Sequence, residues 1–156
     1  MSVTDGHASA PPTLDHAGLE VLSQEECMRL LTQSHIGRVG VTMQALPAVL
    51  PVNFALLDGD VLIRTGGGTK LDAALANTVV AFEVDGYDPI YHSGWSVMLT
   101  GVAKEVTDPD ELERAKLVPL RPWAPGPRDR FVRIATYLIS GRRIPDDAPA
   151  GMRGEE

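Results

Sequence analysis

The residues with the clearest chemistry lie in the segment Val61-Leu-Ile-Arg-Thr-Gly-Gly-Gly-Thr-Lys-Leu-Asp-Ala-Ala-Leu75. Arg64 and Lys70 supply two cations, Thr65 and Thr69 two hydroxyls, and Gly66, Gly67 and Gly68 a stretch of bare backbone. Glycines let main-chain N–H groups approach an anion closely. A helix beginning after them adds free N–H donors and the positive end of its dipole, and the two cations add charge-assisted hydrogen bonds. The ligand this chemistry suits is a phosphate monoester. The same spacing also suits a flexible link between a strand and a helix. It is not the nucleotide-triphosphate loop, in which Gly-Lys is followed by Ser or Thr, and it lacks the Gly-x-Gly-x-x-Gly spacing of dinucleotide folds.

Positioning that segment requires a strand before it and a helix after it. Val61 to Thr65 reads as a strand, and Leu71, Ala74 and Leu75 give a helical pattern over about 69–76 that stops at Asn77. Upstream, Ser23-Gln-Glu-Glu26 is a capping box opening a helix over about 24–34. Strands follow at 36–42 and 48–57, separated by a turn at 44–46. Pro51 marks the second of these as an edge or a bulge. Asp58-Gly59 predicts a hairpin into the strand at Val61. Further strands are expected at 79–85, 94–106 (with a bend at Gly101) and 131–140. Asp108-Pro109 opens a helix over 109–118, followed by a proline-rich loop over 119–127. Hairpin connections dominate, so the fold expected is α+β: a six-stranded, mainly antiparallel small barrel with short flanking helices. The folded part is expected at 19–145, with loose tails at 1–18 and 146–156.

Composition narrows the function classes. The chain has 156 residues, a formal net charge of -7 and 44% hydrophobic residues, which suits one domain that oligomerisation can supplement. An acidic chain lacks the basic face that nucleic acid needs; Arg121, Arg128, Arg130 and Arg133 come nearest to one. An acidic protein that binds an acidic ligand must make its positive potential locally, which returns attention to Arg64 and Lys70. Cys27 is the only cysteine, so neither an intramolecular disulfide nor a multi-cysteine metal site is available; its helical spacing with Leu30 and Leu31 suits a small core residue. No apolar run reaches membrane-spanning length and no signal segment is visible, so a cytoplasmic protein is expected, with neither membrane nor nucleic acid as partner. No catalytic triad, carboxylate pair or metal-ligand cluster stands out, and His35 and His92 are isolated.

Several short segments, taken in order, resemble the pyridoxamine 5′-phosphate oxidase-like family of FMN-binding split barrels. They are Ile36-Gly-Arg-Val-Gly-Val41, Pro47-Ala-Val-Leu-Pro-Val-Asn-Phe54, Leu62-Ile-Arg-Thr-Gly-Gly-Gly-Thr-Lys70, Val80-Ala-Phe-Glu-Val84, and Gly94-Trp-Ser-Val97 followed by Gly101-Val-Ala. The resemblance implies that Leu50, Pro51, Val52 and Asn53 run along the flavin ring. It implies that Arg64, Thr65, Thr69 and Lys70 hold the ribityl phosphate. It further implies a homodimer with FMN between the subunits, Trp95 and Ser96 approaching from the partner chain, and oxidoreductase chemistry on a small organic substrate. Asn53 also suits a strand end that satisfies nearby backbone, and Trp95 a core or interface aromatic. Relatives of this barrel bind a deazaflavin coenzyme, for whose acidic tail Arg38, Arg128 and Arg130 are the available cations; others bind flavin without known turnover. Tyr91 and His92 are candidates for a substrate opening. The true oxidase ends in a Trp-x-x-x-Arg-Leu-x-Pro tail, whereas this chain reads Ser140-Gly-Arg-Arg-Ile-Pro145. That departure argues against pyridoxamine phosphate as the substrate.

Overall fold

A computed structural model describes residues 10–121, 126 and 128–145. Its elements are β1 (Glu20–Val21), α1 (Gln24–Gln33), β2 (Ile36–Met43), β3 (Leu46–Asn53), β4 (Ala55–Leu57), β5 (Asp60–Thr65), α2 (Lys70–Ala74), β6 (Thr78–Asp88), β7 (Ser93–Glu105), α3 (Pro109–Leu117) and β8 (Arg130–Arg143). The strands form one antiparallel sheet in the order β3-β2-β6-β7-β8-β5-β4, with β1 paired to β8. Because β3 and β4 are consecutive in the chain yet lie at opposite ends of that order, the sheet curls back towards itself. This is the split-barrel α+β fold.

The run expected as one strand over 48–57 is two strands. It leaves β2 at Asn53, turns at Phe54 and pairs with β5 from Ala55. Phe54 is buried; its ring meets Phe82 edge to face at 4.8 Å, and its N–H is taken by the His35 carbonyl. Burial of one large ring at the corner therefore outweighs continuing the ladder. With β1, which sequence pattern did not show, the six expected strands become eight.

Other local expectations hold for stated reasons. Pro47 and Pro51 lie on β3, which pairs with β2 alone and so leaves one edge without a ladder to interrupt. Asp58 and Gly59 both have positive φ, as a two-residue hairpin turn requires; Gln44 and Ala45 do the same without glycine. At Gly101 the β7–β8 register shifts, and a Cβ there would collide with the Ala135 carbonyl. Asn77 ends the α2 segment in the left-handed region. Ser23 caps α1 by accepting from the Glu26 N–H at 3.1 Å, but Glu26 does not complete the box. Its carboxylate instead receives Arg29 at 2.6 Å and Arg143 of β8 at 2.6 Å, which ties the helix to the sheet.

The interior holds one main cluster, including Val39, Phe82, Val84, Val97, Leu99 and Ile134, with Cys27, Leu30 and Leu31 of α1 packed into it. Cys27 is buried as a core residue, and burial pushes its thiol up from the ordinary range. A smaller cluster lies under α3, where Ala115, Val106 and Leu120 meet Leu62 and Phe131. Arg133 braces that side through Asp60 and Glu111, each at 2.7 Å. The tails expected at 1–18 and 146–156 fall mostly outside the described residues. Within them, Asp15 receives Arg142 at 2.9 Å. No helix among the described residues is long and apolar enough to cross a membrane.

Candidate functional site

A cavity of about 170 Å³ opens where the end of β3 faces the end of β5. Pro51, Val52, Asn53, Arg64, Thr65 and Thr69 line it, which is six of the ten residues singled out from the sequence. The fold creates this proximity: β3 and β5 are distant in strand order, and the corner at Phe54 swings one end of the curled sheet towards the other. Leu50 lies opposite Val39 and packs on the main core, away from the cavity. Lys70 opens α2 and is exposed, outside the cavity lining.

Each polar residue here has a definite attachment. Arg64 is half-buried: its Nε donates to the Arg128 carbonyl at 2.5 Å and its guanidinium lies 5.5 Å from the Phe131 ring centroid. Those two contacts fix the plane of the fork at the cavity wall. Asn53 donates to the Arg121 carbonyl at 2.6 Å, the strand-end role considered from sequence, while still lining the cavity. Thr65 is buried at 5% exposure and is the β5 partner of Arg130.

The glycine loop has the geometry that its composition suggests. Gly67 and Gly68 have φ of +76° and +74°, which side chains rarely adopt. A Cβ on Gly67 would also lie 2.8 Å from Arg130 Nε, so the loop folds against that guanidinium. Thr69 caps α2 in a full capping box. Its hydroxyl accepts from the Asp72 N–H at 3.1 Å and donates to the Asp72 carboxylate, which also receives the Thr69 N–H at 2.8 Å. The α2 segment is only five residues long, so its dipole adds little; Lys70 and Leu71 keep first-turn N–H groups with no partner inside the helix. Burial pushes the Asp72 carboxyl up, but the Thr69 bonds, a hydrogen bond with the Thr65 side chain and the nearby Arg130 charge more than offset it, leaving it below the usual carboxylate range. Asp72 Oδ1 itself is buried.

Asp72, Leu71, Leu120 and Arg128 also line the cavity, and none was assigned to the phosphate site from sequence. Asp72 was legible in principle, since Thr69-x-x-Asp72 has capping-box spacing. Leu120 carries no local signal, and Arg128 was singled out only as a cation for the acidic tail of a deazaflavin coenzyme. Trp95 and Ser96 lie elsewhere, around a separate cavity of about 250 Å³ with Gly86, Arg142 and Arg143. Trp95 faces Gly86, whose missing side chain makes room for the indole. Tyr91 and His92 are exposed at the β6–β7 turn, where His92 has positive φ. Arg38 lies on the outer sheet face, 3.4 Å from both Glu83 and Asp85.

The sequence profile of the family described as pyridoxamine 5′-phosphate oxidase matches residues 23–143. The chain belongs to the pyridoxamine 5′-phosphate oxidase family. An uncharacterized protein of Mycobacterium tuberculosis is 41% identical over 132 residues, covering 81% of this chain and 86% of that protein. The FAD binding protein from Mycobacterium smegmatis is 37% identical with a TM-score of 0.69, the match covering 79% of this chain and 96% of the other. A FAD-binding protein from Mesorhizobium loti is 25% identical with a TM-score of 0.66, over 81% and 99% of the two chains. The pyridoxamine 5′-phosphate oxidase family assignment agrees with the resemblance carried by the ordered short segments.

Proposed function

We propose that this chain is a flavoprotein that holds a flavin nucleotide by its phosphate at Arg64 and the glycine loop, and uses it for oxidoreduction of a small organic molecule. The observation that carries the reading is the shared cavity. The Pro51–Asn53 segment and the Arg64–Thr69 segment, chosen from sequence for the ring and the phosphate, face the same space. The orientation of Arg64 by Phe131 and the Arg128 carbonyl fits an anion at this wall, and two positive-φ glycines lie in the loop between the lining residues Thr65 and Thr69. Bound there, the flavin supplies the redox chemistry; the protein supplies binding, orientation and electrostatics. FMN is the smallest cofactor that meets these requirements, and the FAD-binding relatives make a dinucleotide the second candidate. The deazaflavin coenzyme ranks below both, because Arg38, one of the cations it would call on, is paired with Glu83 and Asp85.

A homodimer is part of the proposal. One protomer's cavity of about 170 Å³ is below the roughly 300–1,000 Å³ of ordinary ligand pockets. The sheet also presents an uncharged outward row, Val49–Gly40–Ala81–Thr100–Leu138, in register across β3, β2, β6, β7 and β8. Val49 and Leu138 are exposed by 68% and 72%, with Met98 and Val79 beside them. A second subunit on this face would cover that row and add walls to the site. Trp95 and Ser96, remote from Arg64 in one protomer, are assigned to that partner contribution.

Pyridoxamine phosphate is not the proposed substrate. Arg142 and Arg143, the cations in the divergent C-terminal segment, are held by Asp15 and by Glu26 and Glu20. A site without cations for a second phosphate loses the corresponding binding energy. Absorption spectroscopy and mass spectrometry of the purified protein identify the cofactor, and titration with FMN and riboflavin tests the anchor. Equal affinity for the two flavins refutes the phosphate assignment. Turnover of pyridoxamine phosphate with oxygen at about 10⁴ M⁻¹s⁻¹ or more refutes the substrate argument.

A further inference from the structure

Resting on the homodimer reading above, we infer that closing two chains over the outward sheet face takes up a proton between Glu83 and Asp85, so that the completed site assembles more firmly as pH falls. The two carboxylates stand two residues apart on β6 and so on the same face. Arg38 is the direct β2 partner of Glu83, and its Nη1 lies 3.4 Å from Glu83 Oε2 and 3.4 Å from Asp85 Oδ1. One guanidinium nitrogen thus serves two carboxylates, and at long range. The pairs that brace the fold are tighter: Arg143 reaches Glu26 at 2.6 Å, Arg133 reaches Asp60 at 2.7 Å and Arg142 reaches Asp15 at 2.9 Å.

This trio borders the uncharged row. Gly40 pairs with Ala81, and two residues along each strand Arg38 pairs with Glu83, so the trio forms the next row of the same face. Across β7 the partners of Glu83 and Asp85 are Met98 and Ser96, which carry no charge. Beyond Ser96 on β8 lies Arg142, whose Nε donates to Asp15. Tyr87, two residues past Asp85, is the other titratable group on that stretch of β6. One cation and two anions leave the trio with one net negative charge, and each copy of this acidic chain brings the same.

In a single chain water hydrates the trio: the Arg38 and Asp85 side chains are half-exposed and that of Glu83 is 30% exposed. A second copy on the face removes that water, and burial disfavours the charged form of a carboxyl. Burial and then the neighbouring Asp85 already push the Glu83 carboxyl up, and Arg38 offsets only part of this. A proton taken from solvent by one carboxyl turns it into a donor to the other, and leaves one carboxylate for Arg38. The trio is then neutral. The dimer therefore holds the proton more firmly than the monomer does. By linkage, association strengthens as pH falls and weakens as pH rises through the value the pair has in the dimer. That window lies above 4.5, the ordinary value for Glu83.

Sedimentation equilibrium of the full chain at about pH 7.5 and about pH 5.5, in about 0.5 M sodium chloride to screen the overall charge, measures the dimer dissociation constant. The parent is expected to dimerise at least about tenfold more tightly at the lower pH, the scale of one pKa unit. Glu83→Gln supplies a permanently neutral donor, so it should dimerise tightly at both pH values and lose most of the dependence. Glu113→Gln removes one negative charge from the exposed side of α3 and should keep the parent's dependence. A parent dimer of equal strength at both pH values overturns the inference and leaves the dimer standing. So does a Glu83→Gln variant that keeps the parent's dependence or dimerises more weakly at both pH values. A Glu113→Gln variant that loses the dependence as fully as Glu83→Gln assigns it to overall charge and also overturns the inference. A parent that is monomeric at both pH values refutes the dimer reading on which it rests.

Discussion

Thr65 and Arg130 are direct partners in the β5–β8 ladder, 65 positions apart in the chain (130 minus 65), and that pairing sets the Arg130 side chain against Gly67. The glycine loop is therefore not a loose link between strand and helix. It folds against a guanidinium delivered by the last strand, while Arg64 is oriented from the same strand by Phe131. Arg64 and Arg130, on either side of the glycine loop, are thus both positioned by β8.

Arg64→Ala is expected to weaken FMN by about 10- to 150-fold, the range for losing a hydrogen bond to a charged group of about 1.5–3 kcal/mol. Riboflavin affinity should hardly change. Lys70→Ala should cost less than Arg64→Ala, because Lys70 is exposed and outside the cavity lining. Fluorescence titrations of both variants with both flavins give the ranking; a larger Lys70 effect would place the phosphate nearer α2 than Arg64.

Leu138→Asp should convert a dimer into a monomer by placing a charge in the uncharged row across five strands. Sedimentation velocity is expected to give twice the 16.8 kDa chain mass for the parent and the single mass for the variant. Because Leu138 is exposed, the change should leave the folded monomer's circular dichroism intact. A dimer that survives the substitution moves the interface to another face.

Gly101→Ala should destabilise the fold by roughly 1–3 kcal/mol, since its methyl must displace the Ala135 carbonyl at the β7–β8 bulge. Gly68→Ala meets open space but a positive φ, so its cost should be smaller, about 1 kcal/mol. Urea denaturation midpoints of the two variants against the parent measure the difference.

Acid sensitivity should trace to Glu26. Hydrogen bonds from Arg29 and then Arg143 hold its folded carboxyl at about 2, against an ordinary value of 4.5. The folded state therefore binds fewer protons in that window. The Glu26 contribution is full above pH 4.5 and is lost as pH falls towards 2. Thermal midpoints of the parent and Glu26→Gln should differ at pH 7 and converge near pH 2; a gap that persists there would point to packing instead of charge.

Local physics was readable from sequence because its causes are local. The Asp58-Gly59 hairpin, the Ser23 and Asp108 caps, the edge strand with Pro51, the bend at Gly101 and the stop at Asn77 each follow from one residue's φ preference or donor count. The Gly66–Gly68 loop with Arg64 before it was legible for the same reason. The corner at Phe54 was not, because it depends on Phe82, 28 residues on (82 minus 54), to bury the ring. The capping box at Ser23 was half right: Arg143 from the last strand competes for Glu26 and wins with a charged hydrogen bond.

The sequence by itself determined the element types, the antiparallel α+β class and a loop able to approach an anion, since helix and strand periods and glycine's conformational range are properties of short segments. Only the tertiary structure decided that Pro51–Asn53 and residues of Arg64–Thr69 face one cavity, that Asp72 lines both that cavity and an adjoining one, and that Arg142 and Arg143 are bound by carboxylates. Those facts depend on strand order and on the curl of the sheet. The physical reason is that burying Phe54, Phe82 and Ile134 together fixes which distant strands become neighbours, and no short segment contains that information.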